Sequence, residues 1–288
     1  RQKYTYPALA FALIRLSCFM NQCEISPPAY EEEVKEESLD GEEAQPEPLP
    51  SVTVTYQKIF KNVTEIIQAL QTRFPEVALR LNLQAVQAVN NLNRFAELED
   101  QAYEFMSQAY IIFEEEITET ETKVASLNLI VSTLYTLTCF GSENFDTLCA
   151  NAISYSGKLL KKNLQAEAIN LSCHLFYCNS KQQGNKVMDQ LRKALKTSEI
   201  CMTKPENLYL LVKILNSYLL FYQQADCAFV TATEINDLLS YIRETIDEMD
   251  DKGPAQASLK FLDNTKAAIR FKGENDPNLN GKMSQVQL

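Results

Sequence analysis

A single imidazole limits what this chain can catalyse. His174 is the one histidine in 288 residues. Sites that need two imidazoles, H-E-x-x-H zinc centres and paired E-x-x-H di-iron bundles among them, therefore cannot be assembled. Cys173 and Cys178 flank it and place three potential metal ligands within six residues, but no second half-site follows. The eight cysteines (18, 23, 139, 149, 173, 178, 201 and 227) form no C-x-x-C pair, which removes zinc ribbons and thioredoxin-like redox sites. Most sit in apolar helical patterns and read as reduced, buried thiols. No two of the seven glycines make a G-x-G, so neither a dinucleotide fingerprint nor a phosphate loop can be written. No Ser or Cys carries a nearby base pattern, and Asp250-Asp251 is an acidic pair before Gly253 and nothing more specific. These residues point to no catalytic group, no cofactor and no metal.

Charge is the more informative chemistry. The formal net charge is −11, from 38 acids and 27 bases, a balance that argues against nucleic acid as the main ligand. Nine acids and one base fall between Glu31 and Glu47, so most of the acidity belongs to one stretch. Two smaller features lie elsewhere. Glu114, Glu115 and Glu116 form an acidic run, extended by Glu119 and Glu121. Lys158, Lys161 and Lys162 are spaced i, i+3, i+4, which predicts three ammonium groups on one helix face, close enough to repel one another. Both read as solvated surface or, across a two-fold assembly, as acid on one copy facing base on the other. His174 sits among Leu171, Leu175 and Phe176. That setting suits a satisfied structural histidine, or one at an interface using its ring faces for packing.

The elements that must position these residues are helices. Low glycine with few internal prolines is the composition of a nearly all-helical chain. The apolar run Tyr4 to Met20 follows Arg1 and Lys3, is broken by Arg15 and is too short to span a membrane. It reads as a helix over 7–21, and the absence of an initiator Met suggests a piece of a longer chain. Residues 22–51 combine the acidic run with five of the ten prolines and read as a disordered, self-repelling loop. From residue 53 the 3.6-residue period takes over, with stripes such as Ile59, Phe60, Val63, Ile66, Ile67 and Leu70. Ser142 can cap a helix. Thr203 to Glu206 and Thr231 to Glu234 spell two capping boxes. The two N-x-S/T sequons, at Asn62 and Asn170, fall inside helical patterns and read as chance. Residues 272–288 are polar and read as a frayed, disordered tail.

Roughly ten helices over 53–271 give a helix pair about every 44 residues, the spacing of HEAT-type repeats. The fold expected is all-α: a HEAT-like α-α superhelical solenoid of about ten or eleven helices. Its first helix covers 1–21 and its body 52–271, with a compact bundle as the competing architecture.

Several stretches then resemble a known family, in order and at similar spacing. They are Tyr103 to Tyr110 running on to Phe113–Ile117; Lys158-Leu159-Leu160-Lys161-Lys162 followed by Cys173-His174-Leu175-Phe176; Lys186–Met188 with Leu191–Lys196 and Cys201-Met202; and Ile214-Leu215-Asn216 with Tyr218, Phe221 and Tyr222. Together they resemble the C-terminal half of vacuolar protein sorting 35, the large subunit of the retromer complex, over about residues 1–270. The resemblance implies a non-enzymatic solenoid scaffold of a cytoplasmic coat, peripheral on endosomal membranes through other subunits, that recycles transmembrane cargo. It implies binding of the vacuolar protein sorting 29 subunit, carried here by His174 with Tyr177 close by. It implies contact with vacuolar protein sorting 26 through an N-terminal half that this sequence lacks. It also implies self-association of two copies through Glu114, Glu115 and Glu116 against Lys158, Lys161 and Lys162. The family commonly has Trp where Tyr177 stands, and its connector is shorter than 22–51. An unrelated HEAT or adaptor-type solenoid that reads peptides in a groove is the alternative.

Overall fold

The computed structural model describes residues 2–25, 54–178, 182–201, 203–224 and 228–288. The acidic loop expected over 22–51 lies outside them from residue 26 onward. Residues 22–25 continue the opening helix instead. The described residues form twelve α-helices and one 3-10 turn, with no strand. They divide into two units: residues 1–118 with 138–141, and residues 119–137 with 142–288.

The first unit holds α1 (Gln2–Ile25), α2 (Tyr56–Gln71), α3 (Pro75–Leu92) and α4 (Phe95–Glu115). Local chemistry sets the boundaries. Thr55 accepts the Lys58 N–H at 3.3 Å and opens α2, Pro75 sits in the first turn of α3, and Asn93 ends α3 in the left-handed region at φ 55°. Each helix packs on the next, and also α1 on α3 and α2 on α4. Phe60 and Phe105 meet edge-to-face at 6.0 Å in the core. Arg94 ties the helices together at their rim. Its guanidinium lies 4.8 Å from the Tyr56 ring centre, bonds Asn21 at 3.2 Å and pairs with Glu24. Residues 138–141 belong here because Asn90 accepts the Thr138 N–H at 2.8 Å and Glu99 accepts the Gly141 N–H at 2.7 Å.

The second unit contains α5 (Thr120–Thr136), α6 (Ser142–Lys158), α7 (Lys162–Ser172), the 3-10 turn Cys173–Phe176, α8 (Gly184–Glu199), α9 (Lys204–Gln223), α10 (Ala232–Asp247), α11 (Gln256–Asn275) and α12 (Pro277–Met283). Consecutive helices pack on one another from α5 to α10 and again from α11 to α12, and α5, α7, α9 and α11 also form a row in which each touches the next. This next-and-next-but-one packing is the solenoid pattern within the unit. Helix α9 sits at its centre and is buried nearly all round, from Leu208 through Tyr222. A helix that is apolar on every side needs neighbours on every side, and α7, α8, α10 and α11 supply them.

One of the capping expectations holds and three expectations change. The Thr231 box forms in full, its hydroxyl and the Glu234 carboxylate each taking the other's backbone N–H. The Thr203 box does not: no side-chain cap bond opens α9, and Pro205 at the second helical position already removes one donor that would need capping. Helix α6 begins at Ser142 itself rather than after it. Residues 272–288 are not a frayed tail. Helix α11 runs to Asn275, Asp276 caps α12 through the Asn278 N–H at 3.0 Å, and Met283 and Val286 are buried. That extra helix takes the α-helix count past ten or eleven.

Candidate functional site

Helix α7 is short, and both groups of residues singled out in the second unit lie at its ends. Eleven residues at ~1.5 Å rise separate those ends by about 16 Å.

At the N-terminal end stand the three lysines, and they are not on one helix face. Lys158 is the last residue of α6, Lys161 precedes α7, and Lys162 is its first residue. The chain turns at Leu159 and Leu160. Leu159 is buried, whereas Leu160 is 89% exposed. The turn is fixed from below by the Gln165 amide, which donates to the Gly157 carbonyl. Lys158 lies 5.3 Å from the Tyr155 ring centre, and Lys162 donates to Gln165 at 2.9 Å. All three ammonium-bearing side chains are exposed. Lys161 and Lys162 sit at a helix N-terminus, where the macrodipole disfavours positive charge.

At the C-terminal end α7 tightens into the 3-10 turn that carries His174. The imidazole stacks on Phe221 of α9 at 5.1 Å and 23°. Tyr135 of α5 meets its edge at 6.4 Å and 83°. Tyr177 packs edge-on against Phe221 at 5.9 Å, and Phe229 closes the group, 5.6 Å from Tyr177 and 5.8 Å from Phe221. Each such pair is worth roughly 0.5–1.5 kcal/mol beyond its buried area. Burial pushes the His174 pKa below its usual 6.5, so the ring is neutral at pH 7. Tyr135, at 46% exposure, leaves one edge of the cluster open to solvent.

The cysteine neighbours are packing groups. Cys173 is fully buried and its thiol donates to the Asn170 carbonyl at 2.9 Å. Burial raises its pKa, which disfavours the thiolate a metal would need. Cys178 donates to the Leu175 carbonyl at 3.3 Å. The seven described cysteines form no disulfide with one another: Cys139, Cys149 and Cys173 are buried, whereas Cys18, Cys23, Cys178 and Cys201 are only half-buried. Among the described residues no group of three or more His, Cys, Asp or Glu is placed to hold a metal ion, and no helix is long and apolar enough to cross a membrane.

The acidic run lies in the first unit. Glu114 and Glu115 are the last residues of α4 and Glu116 its C-cap. Carboxylates here oppose the macrodipole, as the lysines do at α7. Of the two patches only Lys158, in the last turn of α6, complements its own helix dipole.

A family model for vacuolar protein sorting-associated protein 35 matches residues 1–245. The chain belongs to that family. Among its relatives, vacuolar protein sorting-associated protein 35A of Arabidopsis thaliana is 36% identical over 202 residues, 66% of this chain and 25% of that protein. Vacuolar protein sorting-associated protein 35B of the same plant is 31% identical over 249 residues, 82% of this chain and 30% of that protein. The Dictyostelium discoideum protein is 32% identical over 212 residues, 71% of this chain and 26% of that protein. The chain thus spans less than a third of the length of these relatives.

Sequence reasoning missed Tyr135, Phe229 and Gly184. A Cβ on Gly184 would fall 2.3 Å from the Phe229 ring, so this glycine makes room for the cluster at the start of α8. A faint signal existed: Tyr135, Tyr177 and Phe221 recur at about the 44-residue repeat spacing, which brings them to equivalent places on stacked helix pairs.

Proposed function

We propose that this chain is the C-terminal solenoid of a retromer large subunit, a scaffold that binds the vacuolar protein sorting 29 subunit through the open edge of the His174 cluster. Family membership supports the retromer role. The cluster supports the site: exposed Tyr135 stands beside a half-buried, neutral imidazole on a packed aromatic base, and aromatic anchors on a rigid base are what interface hot spots require. Tyr177 acts from below, holding Phe221 beneath the imidazole. Tyr177, half-buried like His174, is the second residue of this proposed contact.

Self-association of two copies through Glu114, Glu115 and Glu116 against Lys158, Lys161 and Lys162 is the second part of the reading. It is supported by where the charges stand. The acidic run opposes the dipole of α4, and Lys161 and Lys162 oppose that of α7, whereas Lys158 complements that of α6. Contact with vacuolar protein sorting 26 would use regions of the longer relatives that this chain does not span, and other subunits would hold the coat on endosomal membranes.

Calorimetry with the cognate vacuolar protein sorting 29 subunit tests the first part. The folded chain binds it, and His174→Arg weakens binding about tenfold or more while the thermal midpoint stays within a few degrees. No binding by a folded chain, or unchanged affinity in His174→Arg, overturns the assignment.

A further inference from the structure

The turn between α6 and α7 ends in a leucine that water surrounds. Leu160 is 89% exposed, the most of any large apolar side chain among the described residues, and Lys158, Lys161 and Lys162 beside it are exposed as well. A fourth cation joins them from another helix. The exposed Lys193 of α8 brings its ammonium beside Gly157, 3.4 Å from where a Cβ on that glycine would lie. The turn itself is held in place. Leu159 is buried, the Gln165 amide donates to the Gly157 carbonyl, and the Asn163 side chain accepts the Leu164 N–H at 2.9 Å. A tip fixed in this way loses little freedom when it is covered.

The acidic face has the same plan with the sign reversed. Ile111 of α4 is 39% exposed. Glu114 and Glu115 follow it at i+3 and i+4 and so share its face of the helix, and the exposed Glu104 stands two turns before it. One aliphatic side chain is fringed by carboxylates, as Leu160 is fringed by ammonium groups. Exposed ion pairs contribute little to affinity and are screened by salt. Their work is to set register and the rate of encounter. The strength of a contact comes from an apolar centre that the charges ring. We propose that Leu160 is that centre: in the two-copy contact proposed above, on which this inference rests, it packs against Ile111 of the second copy, and Lys193 adds a fourth ammonium to the rim. A second copy is the partner whose charge pattern fits, because the fringe around Ile111 is the complement of the fringe around Leu160.

Sedimentation equilibrium of the full chain at low and at physiological salt tests the anchor, with calorimetry for the vacuolar protein sorting 29 subunit alongside. Leu160→Ser weakens self-association ~10-fold and leaves its salt dependence unchanged. Ile111→Ala does the same, and the double variant loses no more than ~10-fold, because both side chains serve one contact. Lys193→Glu weakens association ~3-fold and lowers its salt dependence. Helical circular dichroism reports the fold of each variant, and Ile111→Thr replaces Ile111→Ala in the cycle if the latter does not fold. Wild-type association in Leu160→Ser overturns the anchor, and if reversal of Lys158, Lys161 and Lys162 to Glu still breaks the pair, the charge reading stands without it. Losses that add to ~100-fold in the double variant overturn the pairing with Ile111. A Leu160→Ser chain that self-associates normally but loses the small subunit places the side chain against that subunit and overturns the proposal too. A wild-type chain that stays monomeric overturns both the anchor and the self-association beneath it.

Discussion

The two ends of α7 are built on opposite principles. The C-terminal end is a packed aromatic cluster in which His174, Tyr177, Phe221 and Phe229 each touch at least one of the others. The N-terminal end is an open turn where Leu160 and three lysines stand in water. At the first, the proposed recognition edge rests on rings that also hold the fold, so a change to those underlying rings alters both. At the second, the exposed side chains contribute little to stability, and a change reads out in association alone. One helix of eleven residues therefore separates a site that can be probed only gently from one that can be rewritten.

Four measurements sharpen or break this contrast. The largest effect belongs to Gly184→Ala. The added methyl collides with the Phe229 ring, and overpacking of this kind costs about 2–3 kcal/mol in denaturant unfolding. A loss below ~0.5 kcal/mol would mean the cluster is loose and the contrast false. Next comes the charge reversal of Lys158, Lys161 and Lys162 to Glu. It weakens self-association about tenfold, with reduced salt dependence in sedimentation, and leaves binding of the vacuolar protein sorting 29 subunit unchanged. Equal loss of both activities would point to damage to the fold instead.

The third is a pH effect. His174 has a folded-state pKa lowered by burial, so the unfolded chain binds the proton more readily. Stability is complete above the unfolded value of about 6.5 and falls as pH drops from there toward the folded value. His174→Phe removes that slope while keeping a ring on Phe221, and an unchanged profile would place the imidazole in solvent. The smallest effect is expected for Leu160→Ser, within ~0.5 kcal/mol of wild type by thermal unfolding, because the side chain is 89% exposed.

The same contrast shows what could be read from the sequence. Helix identity came from 3.6-residue stripes and caps, and the Thr231 box and Pro75 mark real starts. The break between Lys158 and Lys162 had no such marker. Lys158-Leu159-Leu160-Lys161-Lys162 contains no Gly or Pro, and the turn is enforced by tertiary contacts, with Leu159 drawn inward and Gln165 bonding back to Gly157. The terminal segment failed for the same reason. Leu279, Met283, Val286 and Leu288 are diluted among polar residues, and only their fit to α9–α11 makes them core. His174 was visible because it is unique, and the charge runs because they are dense. The partners of His174 lie some 40 residues away on either side, beyond the reach of any local pattern.

The row of α5, α7, α9 and α11, each packed on the next, carries a kinetic consequence. Most contacts in this unit join helices one or two places apart in the chain, so little entropy is lost in closing loops before each contact forms. Such an array can nucleate at any helix pair and grow outward. The exception is the contact between the end of α9 and α12, where Tyr222 donates to the Lys282 carbonyl and Lys282 donates back to the Tyr222 and Gln224 carbonyls, across separations of 58 and 60 residues. That closure should be the last to form on refolding and the first to open under load.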